Sequence, residues 1–218
     1  MHKWTKRAVT GLAVVTAGLW GTAWMLSQPV AAHPLAKAAT AHAASRMASP
    51  FQTGRTVDWR QPVLTLAGHP TTLARGTRAT IIIGMASWCL YCGYEDRWVL
   101  PRLAHEPGVV VDIVDVSPQG GIADPGPQNP PFHGHDGQGG VLTAQGMAKV
   151  MRQYVRAYHL TGNSVHVYVA PAATQKAWAV QSFPSLAFVN ARGQVTYSPA
   201  GALTLPQART ALHQTVQS

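Results

Sequence analysis

The chain is 218 residues long, with 46% hydrophobic and only 11% charged residues. That apolar share supports a real core, and the low charge excludes a charge-dense disordered protein, since an average soluble domain is about 25% charged. The 17 Lys and Arg outnumber the 8 Asp and Glu for a net charge of +9, while 2 cysteines exclude both a multi-disulfide scaffold and an all-Cys zinc site.

Lys3, Lys6 and Arg7 precede an uncharged apolar run over residues 8–26. As a helix at about 1.5 Å per residue, that run spans roughly 28 Å, close to the hydrocarbon thickness of a bilayer. The preceding positive charges orient it with the N-terminus in the cytoplasm and the remainder exported. Residues 1–27 are therefore expected to be a signal anchor or a signal peptide. The length of the run favours the anchor, while Val30-Ala31-Ala32 and Ala41-His42-Ala43 are small-residue cleavage candidates. Residues 28–54 read as a flexible tether and 55–218 as one folded domain.

Val63–Leu66 and Thr71–Leu73 flank Ala67-Gly68-His69-Pro70, which predicts a short hairpin. Thr80–Gly84 is a continuous β-branched run, the pattern of a strand buried on both faces. Gly93–His105 predicts a helix kinked at Pro101. Val109–Val116 predicts a second buried strand, and residues 117–140 a loop dense in Gly and Pro. Met147, Val150, Met151, Tyr154, Val155 and Tyr158 recur at helical spacing after Thr143, a candidate N-cap. A strand at Val165–Val169, a short helix at Thr174–Val180 and strands at Leu186–Val189 and Val195–Tyr197 follow. Thr204 caps a last helix with Pro206 in its first turn. Strands alternating with helices imply an α/β layer fold, and the terminal hairpin adds antiparallel character.

Cys89 and Cys92 stand three apart. At a helix N-terminus, free N–H groups and the helix dipole favour a thiolate on the first cysteine. Cys89 then acts as nucleophile on a disulfide and Cys92 resolves the mixed disulfide. The pair is also half of a zinc site, but no further Cys exists. His133 and His135 are two apart, outside the usual His-x3–5-His spacing. A structural disulfide is the third reading, and its short loop makes a weak staple.

The stretch Met85-Ala86-Ser87-Trp88-Cys89-Leu90-Tyr91-Cys92 after a buried strand resembles the active-site segment of thioredoxin-like proteins. Ser182-Phe183-Pro184-Ser185-Leu186 resembles their cis-proline segment. Asn190-Ala191-Arg192-Gly193 resembles the following turn, and Gly201 the glycine before the last helix. The element order, the extra helix and strand between Ser117 and Val169, and the hairpin at Val63–Pro70 most resemble membrane-anchored extracytoplasmic thiol–disulfide oxidoreductases of the cytochrome c maturation type. The likeness covers about residues 60–218. It implies a thioredoxin fold, a central mixed sheet flanked by helices, with an N-terminal hairpin, a central helix–strand insertion and an N-terminal membrane helix. It implies Cys89 and Cys92 as catalytic residues, a cis Phe183–Pro184 bond, and substrate contacts through Trp88, Phe183 and Pro184. It also implies protein thiol or disulfide substrates, a membrane redox partner, a monomer, no cofactor and no resident metal, with reduction the favoured direction.

The chain departs from the family at several positions. Ile83 stands where thioredoxins carry a buried acid, and Glu95 and Asp96 are the nearest acids in sequence. A solvated helix face is their expected setting, with Glu95 a candidate proton relay. Leu90-Tyr91 matches neither a Gly-Pro nor a His-containing dipeptide and does not fix the potential. The 117–140 loop reads either as a substrate-recognition flap or as a solvated insertion, and His133, His135 and Asp136 invite a metal. A copper or zinc module using the Cys pair and a loop His is therefore a rival reading, as is a thiol peroxidase using Cys89 alone. No GxxxxGK loop, no GxSxG elbow and no Lys/Arg cluster occurs, which argues against nucleotide hydrolysis, serine hydrolase chemistry and nucleic-acid binding.

Overall fold

The computed structural model describes residues 48–124, 126 and 134–218. The expected anchor or signal peptide, the tether up to residue 47, and His133 lie outside them. Among the described residues no helix is long and apolar enough to cross a membrane.

In chain order the elements are β1 (Val63–Thr65), β2 (Pro70–Thr71), β3 (Ala79–Met85), α1 (Leu90–Trp98), α2 (Leu100–Leu103), β4 (Val109–Asp115), α3 (Ala144–Tyr158), β5 (Val165–Val169), α4 (Ala172–Trp178), β6 (Ser185–Asn190), β7 (Val195–Tyr197) and α5 (Leu205–Gln217). The strands form one sheet in the order β2-β1-β5-β4-β3-β6-β7. β3, β4 and β5 are parallel, so helices must carry the crossovers between them, while β6, β7 and the β1–β2 hairpin add antiparallel pairs. All residues of β3 are buried, as its continuous apolar run requires. Side chains alternate between the two faces. Ile81, Ile83, Val111 and Ile113 pack with Leu100, Met151, Tyr154 and Leu212 on one face. Ile82, Val114, Ala187 and Val189 pack with Trp178 on the other.

The expected kinked helix is two helices meeting at Val99, whose ψ of −64° accompanies a φ of −113°. Pro101 has no N–H for the Arg97 carbonyl, so the ladder breaks there and restarts as α2. The first helix also begins earlier than expected, at Leu90, which makes Cys89 its N-cap. Thr143 caps α3, its side chain accepting from the Gly146 N–H at 3.2 Å.

Residues 48–57, most of them expected in the tether, lie against the domain. The Gly54 and Val57 N–H groups donate to the Val195 and Gly193 carbonyls at 2.8 and 2.9 Å, extending the sheet past β7. Phe51 stands edge-on to Trp178 at 5.5 Å and occupies the space that a side chain at Gly84 would fill. Burial of one aromatic ring is sufficient to pin the segment, because apolar area removed from water contributes roughly 25 cal/mol per Å². Phe51→Ala is expected to destabilise the domain by about 2 kcal/mol, below the 3–5 kcal/mol of a fully buried ring. Urea unfolding with unchanged slope would check this, and an unchanged midpoint would refute it.

Candidate active site

β3 delivers the chain to the edge of the core, and the turn Ala86–Trp88 reverses it into α1. The Cys89 N–H donates to the Ala86 carbonyl at 3.0 Å. Cys89 itself has an extended backbone, φ −83° and ψ 121°, so the first N–H groups of the helix have no partner within it. One of them, on Cys92, donates to the Cys89 sulfur at 3.4 Å. Both cysteines are free thiols. Cys89 is 5% exposed and Cys92 fully buried. The Cys92 side chain and the Cys92 and Tyr91 N–H groups hold Cys89 below the ordinary thiol range in spite of its burial. Burial, reinforced by Cys89, pushes Cys92 well up. The two sulfurs are thus chemically unequal, with the negative charge favoured on the outer one.

The Phe183–Pro184 peptide is cis. The Gly201 N–H donates to the Pro184 carbonyl at 2.7 Å, tying this bend to the approach of α5. Phe183 lies edge-on to Trp88 with ring centroids 5.8 Å apart. Trp88 is half-buried, and its indole N–H donates to the Ser117 hydroxyl at 3.0 Å. The rim around Cys89 is therefore aromatic, and Tyr91 within the motif is 48% exposed.

Glu95 and Asp96 are both fully buried, which corrects the expected solvated face. The cause is that α1 is covered on several sides. Gly93 lets Tyr158 approach so closely that a Cβ there would lie 2.5 Å from its hydroxyl oxygen. Glu95 accepts from the Leu203 N–H at 2.7 Å, and Asp96 accepts from the Tyr154 hydroxyl at 2.6 Å. Each keeps one carboxylate oxygen without a partner. Burial pushes Glu95 well above the carboxylate range and raises Asp96 to about 7, the Tyr154 hydrogen bond working against it. Asp96 also lies near enough to Cys92 to oppose ionisation there. Ile83 is buried in β3, and the buried acids near the dithiol come from α1 instead.

Among the described residues the loop after β4 carries no helix or named strand, and both of its described limbs are tied to the motif. The Ala123 N–H donates to the Ser87 carbonyl at 3.0 Å and the Gly137 N–H to the Trp88 carbonyl at 2.9 Å. The Ser87 hydroxyl donates to the Gly121 carbonyl at 2.8 Å, and the Leu90 N–H donates to Asp136 at 2.8 Å. Sequence reasoning named Asp136 only as a metal candidate, and no periodicity marks its role at α1. His135 pairs with Asp124 through backbone hydrogen bonds. Among the described residues no three His, Cys, Asp or Glu side chains are grouped to hold a metal.

No protein-family model and no curated protein matches the chain. Several solved structures do. A protein of Aquifex aeolicus VF5, proposed to act in electron transfer, superposes with a TM-score of 0.52 at 11% identity over 75% of this chain and 98% of its own. An uncharacterized conserved protein of Geobacillus kaustophilus gives 0.50 at 14% identity over 77% of this chain and 83% of its own. A secreted Mycobacterium tuberculosis disulfide oxidoreductase homologous to E. coli DsbE gives 0.49 at 15% identity over 72% and 96%. At such identities a likeness concerns the fold alone. The strand order, with the motif at the end of β3 and the cis-proline before β6, defines a thioredoxin-like α/β fold.

Proposed function

We propose that this protein is a thiol–disulfide oxidoreductase that reduces disulfides in other proteins outside the cytoplasm. The observation that carries the reading is the inequality of the two thiols, Cys89 at a helix N-cap accepting an N–H and Cys92 sealed beneath it. The Cys89 thiolate attacks a client sulfur, breaking the client S–S bond and forming a mixed disulfide, and the released client thiolate takes up a proton. Cys92 then loses its proton, attacks the Cys89 sulfur and releases the second client thiol. The client has gained two electrons, and Cys89–Cys92 is now a disulfide. Asp96, held at about 7 and near Cys92, is suited to accept the Cys92 proton, with Glu95 a second buried acid beside the pair. Trp88 and Phe183 supply an apolar rim, and the Phe183–Pro184 main chain pairs with an extended client segment.

Residues 8–26 anchor the protein in the membrane, or direct its export if cleaved, so that the domain works outside the cytoplasm, where disulfides persist. A membrane redox partner returns two electrons to the disulfide. The protein acts as a monomer with no cofactor.

At pH 7 Cys89 is expected to be alkylated by iodoacetamide at least about tenfold faster than Cys92, because the thiolate is the reacting form. Equal rates, or faster labelling of Cys92, would overturn the assignment of nucleophile and resolver. The same preparation should reduce insulin disulfides with dithiothreitol as electron source. Peroxide turnover that survives Cys92→Ser would instead favour a thiol peroxidase.

A further inference from the structure

The N-terminus of α1 is shared by two negative groups. Cys89 takes the Cys92 N–H, while the carboxylate of Asp136, from the far limb of the loop after β4, takes the N–H of Leu90 at 2.8 Å. Asp136 is delivered there by two closely packed, hydrogen-bonded limbs of the loop. The Gly137 N–H next to it donates to the Trp88 carbonyl, and the facing limb donates from Ala123 to Ser87. The limbs approach so closely that a Cβ at Gly121 would lie 1.7 Å from the Gly137 carbonyl oxygen, and one at Gly137 would lie 2.0 Å from that of Ile122. Only glycine fits at both positions, and Gly121 also has a positive φ of 101°.

We propose that Asp136 is a positioning residue that sets the redox balance of the Cys89–Cys92 pair, its carboxylate competing with the Cys89 thiolate for the α1 N-terminus and so favouring the disulfide. The inference rests on the oxidoreductase reading and adds a direction to it. The equilibrium concerned is dithiol plus glutathione disulfide giving the Cys89–Cys92 disulfide plus two glutathione thiols. Two electrons pass to glutathione, and the two protons of the dithiol end on its thiols. Charge that destabilises a thiolate at Cys89 raises the free energy of the reduced form wherever that form is ionised, and makes the pair a stronger reductant. The ionisable groups bearing on Cys89 are Cys92, Glu95 and Asp136. The Cys92 side chain favours the thiolate, whereas Asp136 opposes it. Asp136 is exposed, so its influence is screened by salt.

The test is Asp136→Asn in the full chain, which keeps an oxygen acceptor for the Leu90 N–H and removes the charge. Glutathione equilibration at pH 8 and low salt should show the dithiol favoured about two- to fivefold more than in the wild type, the range expected for one charge at a helix terminus. Thiolate absorbance against pH should show Cys89 ionising at lower pH. Both differences should shrink in about 1 M salt, where the screening length is about 3 Å. Asp136→Ala should move both in the same direction, and it also weakens protection of the Leu90 amide from hydrogen exchange. An unchanged equilibrium and thiolate titration in Asp136→Asn would overturn the proposal, as would a shift independent of salt. Failure of the oxidoreductase reading is distinguishable, because the wild-type thiols would then not equilibrate with glutathione at all, while the Cys89 titration would still report the influence of Asp136.

Discussion

Cys92→Ser is expected to turn the proposed catalyst into a trap. With Cys89 as the proposed nucleophile, the variant should attack a disulfide-bonded client and stay joined to it, because the serine hydroxyl cannot displace the client thiol. Resolution by a cysteine held in place is intramolecular, and well-oriented groups reach effective concentrations of about 10⁵ M or more. Millimolar external thiol cannot match that, so multiple-turnover reduction should fall by about a hundredfold or more. A mixed disulfide that dithiothreitol releases should accumulate on non-reducing gels. Cys89→Ser should lose turnover to at least the same extent and form no adduct, since Cys92 is fully buried and its thiol is pushed well up. Adducts formed through Cys92 would reverse the assigned roles. The asymmetry has two sources, the complete burial of Cys92 and the hydrogen bonds that the Cys92 side chain and the first N–H groups of α1 direct at the Cys89 sulfur.

The second large effect concerns stability against pH. Asp112 lies in the middle of β4 between Ile82 of β3 and His166 of β5, fully buried, with neither carboxylate oxygen in a standard hydrogen bond. Burial raises it from 3.8 to about 8, offset in part by the Ala74 backbone. The native chain therefore keeps a proton that the unfolded chain releases. Its contribution is fully present below about pH 4 and is lost as pH rises toward about 8. Each tenfold change in proton affinity is worth about 1.4 kcal/mol, so this group alone accounts for a loss of several kcal/mol across that window. Asp96, Asp115 and Glu95 are raised by burial in the same way and act in the same sense. Unfolding free energy by urea should fall steadily from about pH 5 to about pH 8.5. Asp112→Asn should fall less steeply and be the more stable protein at the alkaline end. Parallel curves for wild type and variant would show that Asp112 is not held protonated.

Much of this was legible in the sequence, for identifiable reasons. The run Thr80–Gly84 has no polar alternation, so only a strand covered on both faces suits it, and β3 is that strand. Thr143 and the Met147–Tyr158 periodicity give α3 both its start and its inner face. The motif and Phe183–Pro184 are local signals, and the fold brings Trp88 and Phe183 into contact. What was not legible depends on neighbours distant in sequence. Glu95 and Asp96 look solvent-directed on a short, weakly patterned helix, and they are buried because Tyr154, Tyr158 and Leu203 arrive from elsewhere. Phe51 reads as part of a flexible tether until Trp178 and the open face of Gly84 receive it. Asp136 sits among glycines with no period, and its partner Leu90 is 46 residues away.

The most direct test is a redox titration of the full-length protein in glutathione and dithiothreitol buffers, read by alkylation and intact mass. Cys89 and Cys92 should oxidise together as one two-electron couple, at a potential of about −270 mV or lower, the range of a reductant. Thiols that remain reduced throughout, or that oxidise one at a time, would contradict the dithiol mechanism, and a single couple near about −120 mV would contradict the reductive direction.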